Sequence, residues 1–281
     1  MTLAVTEIRR YPVKSCRGES LPDALVERQG LAGDRRYMIV DSDARVLTAR
    51  EIPRMLLIRP SLIDGGVRLS APERPDIEVS LNGAGRRDVE VWNSIVPATL
   101  LGADVDSWLS EYLGVSVQLA FQHDPASRRT NPRFSDENDR VSFADGYPLL
   151  VTTTASLTAL NDWIAEGPLA EQGPLPMVRF RPNLVISGGT AWDEDGWRRL
   201  RIGTAEFRAV KGCDRCVMTT TDAESAARGK EPIATLARYR RWDGLTWFGM
   251  NLVPDNPGAR IAVGDPVEIL ESVPAPDGPP R

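Results

Sequence analysis

The residues best suited to chemistry stand together in Cys213-Asp214-Arg215-Cys216. Two thiols are flanked there by Lys211 and Arg215, and nearby cations favour the thiolate, the nucleophilic and metal-ligating form. Several chemistries compete for the pattern. Structural zinc needs four ligands, usually in paired half-sites, and the rest of the chain adds only Cys16 and His123. A four-cysteine iron–sulfur cluster is excluded within one chain by a total of three cysteines. A thioredoxin-type pair places its first Cys at a helix N-terminus, and Val217-Met218-Thr219-Thr220-Thr221 is a poor helix start. The bland alternative is two small residues buried in a strand. One thiolate does not hold a free ion, but as a soft donor it can complete the coordination of a metal already held by an organic cofactor.

A second set of polar residues is dispersed: Lys14-Ser15-Cys16, Asp34-Arg35, Thr48-Ala49-Arg50 and Arg181-Pro182-Asn183. Each puts a cation or a hydroxyl at a strand end or turn. Forked guanidinium donors match phosphate, and hydroxyls and backbone amides fill the remaining acceptors. Any one of them alone reads as an ordinary surface group; together they suit one small anionic ligand.

The elements that must carry these residues are mostly strands. Val5–Val13 and Tyr37–Val40 are β-branched and aromatic, and Asp41–Arg45 reads as a hairpin turn before Val46. Val67–Ser70 and Asp76–Leu81 form a second hairpin, and Val89–Trp92 continues the pattern. In Asp104–Leu113 the period becomes helical, with Val105, Trp108, Leu109, Tyr112 and Leu113 on one face, Asp104 or Asp106 as N-cap and Gly114 as C-cap. Val115–Phe121 returns to strand, and polar Asp124–Arg140 reads as a surface loop that marks a domain boundary. Thr154–Glu166 and Glu231–Tyr239 read as helices, Pro168–Pro176 as a loop and Pro182–Ser187 as a buried strand. Gly203-Thr204 and Gly264-Asp265 mark turns between short strands. The expected class is mainly β with a few helices (α+β), as two β-barrel-like domains over residues 1–122 and 123–273 and a disordered tail over 274–281.

Composition excludes other classes. With 281 residues, 42% hydrophobic and 26% charged, the chain is globular in type and needs no disulfide staples. A net charge of −5 without a Lys/Arg block argues against nucleic-acid binding. No apolar run reaches the ~18–20 residues of a membrane span, and the N-terminus shows no signal peptide. Three cysteines favour a reducing, cytoplasmic setting.

The motifs, taken in order, resemble a known family. Tyr11-Pro12-Val13-Lys14-Ser15-Cys16, Gly33-Asp34-Arg35 and Leu47-Thr48-Ala49-Arg50-Glu51 are followed by Phe180-Arg181-Pro182-Asn183, Cys213–Cys216 with Thr219-Thr220, and Trp247-Phe248-Gly249. The chain is similar, from about Thr2 to Leu270, to MOSC proteins with a MOSC N-terminal β-barrel domain, the group that includes the mitochondrial amidoxime-reducing component and its bacterial counterparts. Each motif alone is weak; six in the same order are specific.

The resemblance implies a molybdenum cofactor, Mo-molybdopterin, with Cys216 as the thiolate ligand of the metal beside the dithiolene and Cys213 as a neighbour. Cofactor-binding positions carried over are Lys14, Ser15 and Arg35 in the first part and Thr153, Arg181, Asn183, Asp214 and Arg215 in the second. Lys14, Arg35 and Arg181 would meet the anionic end. Thr153 keeps the hydroxyl of the family's Ser. Asp214 replaces a small hydroxyl residue, and its carboxylate is costly beside an anion unless it turns away.

The implied activity is two-electron reduction of N-hydroxylated compounds such as amidoximes and hydroxylamines. No G-x-G-x-x-G fingerprint is present, so electrons are expected from a separate partner, a ferredoxin or flavin reductase. The family's membrane anchor, its ferredoxin domain and its pyridoxal-phosphate domain are not expected in this two-part form. Asp214, Asp222 and Glu231 lie in the right stretch for a general acid, but each reads more readily as structural or solvated. Three alternatives stand beside the reductase: a cofactor carrier without turnover, a sulfur carrier or sulfurtransferase with a persulfide on Cys213 or Cys216, and a cofactor-free scaffold.

Overall fold

The computed structural model describes residues 2–82, 85–274 and 278. Of the expected tail over 274–281, only 274 and 278 fall among them. The class is mainly β with three α-helices, Ala103–Leu113, Thr154–Ala165 and Ile233–Tyr239. Among the described residues no helix is long and apolar enough to cross a membrane.

The largest sheet has nine strands. Its path runs through Val267–Ser272, Trp197–Ile202, Ala205–Arg215, Leu245–Pro254, Leu149–Thr153, Leu184–Ser187, Ala4–Arg10 and Glu19–Leu21, with Arg241–Trp242 added beside Leu245–Pro254. Among the described strands of this sheet, only Leu149–Thr153 and Leu184–Ser187 are parallel neighbours. A parallel pair needs a crossover, and the helix Thr154–Ala165 lies within it. The two ends of the path approach through an isolated bridge, Ala4 to Pro266, so no continuous ladder closes the sheet into a barrel. The first half of the chain also builds a four-stranded sheet (Tyr37–Val40, Gln118–Phe121, Ser94–Leu100, Gly85–Val91) and a three-stranded one (Arg59–Ile63, Gly66–Ala71, Arg74–Ser80).

Strands are exchanged across residue 122. Ala4–Arg10 pairs with Leu184–Ser187, and Asp23–Glu27 pairs with Arg260–Ala262. Val5 and Ile8 therefore share a core with Leu149, Val151, Phe207 and Leu252. This exchange brings the Tyr11–Cys16 motif against residues 180–183.

Gly249 fixes part of the register. It holds φ +79° within the Leu245–Pro254 strand, and a Cβ there would lie 2.7 Å from the Val151 carbonyl oxygen. Only glycine meets both demands, which gives Trp247-Phe248-Gly249 a structural cause.

Three local expectations need correction. Val217–Thr220, whose β-branched run reads as a poor helix start, forms a 3-10 turn. The Thr219 and Thr220 hydroxyls donate back to the carbonyls of Cys216 and Val217 (2.9 and 2.7 Å), which favours a tight turn over an extended ladder. Gly102, rather than Asp104 or Asp106, is the N-cap of the first helix, because Asp106 accepts a bond from Leu119 N–H instead (2.9 Å). The stretch 124–140 has no regular element but is not purely a surface loop. Arg128 is buried in it and donates to the carbonyls of Ser142, Ala144 and Asp145.

Thr153 caps the second helix, its hydroxyl accepting from Ser156 N–H (3.1 Å). Below the cap, Ser156 Oγ donates to the fully buried Glu194 carboxylate (2.8 Å). Burial, helped by Asp195, pushes the Glu194 carboxyl up from 4.5 to about 7. An acid raised on folding stabilises the fold fully below its unfolded value, and that contribution is lost as pH rises through the folded one. Glu194→Gln should therefore gain melting temperature relative to the parent as pH rises from 5 to 8. A difference independent of pH would contradict this assignment.

Candidate functional site

The motifs converge on one cleft of about 360 Å³, within the range of small-molecule and cofactor sites. Seven cations line it: Lys14, Arg35, Arg50, Arg179, Arg181, Lys211 and Arg215. The carboxylates that line it are Asp145 and Asp214. A chain with a net charge of −5 thus concentrates positive charge at one place, the electrostatic setting of an anion site.

Its two walls come from opposite halves of the chain. Lys14 and Ser15 follow the Ala4–Arg10 strand, and Arg35 follows the turn through Gly33. On the other side Arg181 ends a 3-10 turn, Met177–Phe180, and Arg215 ends the Ala205–Arg215 strand. Ser15, Arg35 and Arg181 all hold left-handed backbone, with φ of 66°, 47° and 54°. Such conformations are unfavourable for residues with a Cβ and cluster where the surroundings enforce them. Tyr11 supplies part of that enforcement. The guanidinium groups of Arg35 and Arg181 lie over its ring, 4.2 and 4.3 Å from the centroid, and its hydroxyl donates to the Pro182 carbonyl (3.1 Å).

Asn183 is a brace, not a free donor. Its Oδ1 accepts from Arg35 and from Leu150 N–H (3.1 and 3.2 Å), and its Nδ2 donates to the Arg9 carbonyl (3.1 Å). Thr153 is not among the cleft-lining residues. It is fully buried, and its hydroxyl is taken up by the helix cap and Glu194.

Most of the cations are neutralised within the chain. Asp145 bridges Lys14 and Arg50, Asp34 holds Arg35 (2.6 Å), Asp222 holds Arg179 (3.0 Å) and Lys211 holds Asp214 (2.5 Å). The Asp214 carboxylate is thereby compensated by a neighbour three residues away. Arg181 is held instead by the Cys16 carbonyl (2.7 Å), and Arg215 by the Phe180 carbonyl and the Cys213 sulfur. Burial pushes the Arg181 guanidinium down to about 10 and the Lys14 ammonium down to about 8, with Asp145 opposing the latter. Desolvation would raise the Asp145 carboxyl, but Lys14 and Arg50 hold it well below the usual carboxylate range.

Three buried donors lining the cleft have no partner: Arg179 Nε, Arg215 Nε and the Tyr147 hydroxyl. Buried donors are seldom left unpaired. Burial and Asp214 push the Tyr147 phenol up to about 12, so it remains a donor at neutral pH. These orphaned groups suit a ligand rich in anionic or carbonyl oxygen.

The three cysteines differ. Cys16 is fully buried in the core of the first half, its thiol pushed up to about 12 by burial. Cys213 and Cys216 both line the cleft and are partly exposed. Cys213 sits at a break in strand register, accepts from Arg215 (2.7 Å) and has its pKa raised by burial. Cys216 leads the 3-10 turn, and its sulfur accepts from Arg50 Nε (3.2 Å). Arg50, Asp145 and Tyr147 also line the cleft. Arg50 stood in a motif, but nothing local signalled Asp145 or Tyr147.

Matches to family models cover both parts: a MOSC N-terminal beta barrel domain over residues 2–116 and a MOSC domain over residues 138–268. The mitochondrial amidoxime-reducing component 1 of Mus musculus is 31% identical over 95% of this chain and 82% of that protein. The chain belongs to the MOSC family. The molybdenum cofactor sulfurase of Oryza sativa subsp. japonica is 33% identical over 86% of this MOSC chain, but the match spans 31% of that longer protein. Among solved structures, the YUAD protein from Bacillus subtilis is 11% identical, with a TM-score of 0.42 over 95% of this chain and 94% of that one.

Accessibility predicts thiol labelling. The native chain should take alkyl groups on Cys213 and Cys216 only, and on Cys16 only after denaturation, as read by peptide mass spectrometry. Native labelling of Cys16 would place it at the cleft instead of in the core.

Proposed function

We propose that this MOSC chain is a molybdenum-cofactor-dependent oxidoreductase that reduces N-hydroxylated compounds. The observation that carries the reading is the partly exposed Cys216 sulfur at a cleft crowded with cations and bordered by orphaned buried donors. That donor set fits molybdopterin: oxygen-rich and anionic at one end, with a metal that accepts a soft thiolate. Cys216 would be the metal ligand. Lys14, Ser15, Arg35, Arg181 and Arg215 would hold the anionic and polar groups, with Asn183 fixing Arg35. Asp214 would contribute its backbone amide while its side chain remains with Lys211.

When bound, the cofactor supplies two-electron redox chemistry at the metal. The chain's own part is to bind and orient. Arg181 and Arg215 are the cations best placed to pair with an added anion, because their present partners are carbonyls, sulfur and ring faces. Tyr147 can donate a hydrogen bond into the cleft and helps exclude water. Converting an N-hydroxyl to N–H releases water and consumes two electrons and two protons. With three cysteines and no dinucleotide fingerprint, the electrons come from a separate donor, a ferredoxin or flavin reductase. Three unpaired cysteines suit a reducing, cytoplasmic setting. The names of the amidoxime-reducing relatives support this reaction class over cofactor carriage alone. The sulfur-carrier alternative instead predicts a persulfide on Cys213 or Cys216 and no need for molybdenum.

The test is reduction of an aryl amidoxime to its amidine by protein from a cofactor-competent host, with a reduced viologen dye as donor. Turnover is expected in the parent and in Cys213→Ser and abolished in Cys216→Ser. NADH or NADPH alone should give none. The reverse cysteine pattern would move the ligand to Cys213, and turnover with NADH alone would refute the separate donor.

A further inference from the structure

We propose that Arg50 is a positioning residue for the Cys216 sulfur, donating its Nε–H to that sulfur and thereby raising the reduction potential of a metal bound there. The inference rests on the functional reading above, and it adds a control of the metal by a residue from the other half of the chain.

The geometry is unusually complete. Arg50 Nε lies 3.2 Å from Cys216 Sγ, and the same guanidinium gives NH2 to Asp145 Oδ2 at 2.8 Å. The second Asp145 oxygen accepts from the buried Lys14 ammonium. Arg50 and Lys14 also lie over the Trp92 ring, 4.7 and 5.3 Å from its centroid. The backbone under Arg50 is fixed as well. Thr48 and Glu51 close the turn through Thr48 N–H and hydroxyl, and Arg228 donates to the Arg50 carbonyl.

Solvating an arginine requires none of this. A guanidinium pinned by a carboxylate, a ring face and a closed turn has its remaining edge aimed at one acceptor, the sulfur. Hydrogen bonds to a ligating thiolate withdraw electron density from the sulfur and tune the potential of the metal it binds. They also restrict the side chain, so Cys216 is presented in one orientation. Asp145 acts one step further away, by orienting Arg50.

Two readings test the proposal. In cofactor-free protein, the Arg50 Nε–H resonance, assigned by its loss in Arg50→Gln, should shift in Cys216→Ala; an unchanged resonance would overturn the hydrogen bond whether or not a metal ever binds. In molybdenum-loaded protein, Arg50→Gln should lower the metal's reduction potential and move the thiolate-to-metal absorption to longer wavelength. Asp145→Asn separates positioning from simple charge. Removing a negative charge by itself raises the potential, whereas release of Arg50 lowers it, and a fall is expected. Unchanged potential and absorption in Arg50→Gln, or a rise in Asp145→Asn, would overturn the role. Parent protein that carries no molybdenum while the resonance still shifts would overturn the functional reading and leave the Arg50–Cys216 contact standing.

Discussion

Collecting seven cations in one cleft is the constraint that the rest of this structure serves. Seven like charges lining one cleft repel each other and lose water, and a cation buried without compensation is strongly destabilising. The chain compensates them one at a time. Asp34, Asp145, Asp214 and Asp222 each hold at least one, and the rings of Tyr11, Trp92 and Phe180 face Arg35, Arg50 and Arg215. Arg181 and Arg215 keep carbonyl, sulfur and ring partners, which leaves the cleft a net appetite for anions. The left-handed backbone at Ser15, Arg35 and Arg181 shows where conformational freedom is given up to hold that arrangement.

The exchange of strands between the two halves is what makes the assembly possible. Ala4–Arg10 lies beside Leu184–Ser187, so the Tyr11 ring meets Arg35 and Arg181 and Asn183 reaches Arg9, Arg35 and Leu150 together. The irregular stretch before Leu149 has a similar role. Buried Arg128 ties down the carbonyls of residues 142, 144 and 145, and thereby sets Asp145 between Lys14 and Arg50. A segment without regular structure therefore positions the carboxylate that holds Arg50.

Much of this was legible in the sequence where the signal is local. The apolar face of Ala103–Leu113 and the Gly114 cap follow from spacing alone, and the turns after Asp41 and at Gly203 follow from their residues. The cleft could be anticipated because Lys14, Arg35, Arg181 and Cys216 stand in short motifs. What escaped is long-range. Asp145 meets Lys14 and Arg50 from far along the chain, and Arg128 reaches the carbonyls of residues 142, 144 and 145 from an irregular stretch with no periodicity. Thr153 reads as a ligand contact, yet a hydroxyl at a strand end serves a helix cap equally well, and its bond to Glu194 is not visible locally. The β-branched run after Cys216 turns because hydroxyl-to-carbonyl bonds outweigh strand propensity in a stretch this short.

The most direct measurement is the molybdenum and pterin content of the chain purified from a molybdate-supplied host able to make the cofactor. The account predicts both in near-stoichiometric amounts, molybdenum lost in Cys216→Ser, and pterin sharply reduced in a double substitution of Arg181 and Arg215 by Gln that remains folded. Folded parent protein carrying neither would contradict the reading of the cationic cleft as a cofactor site.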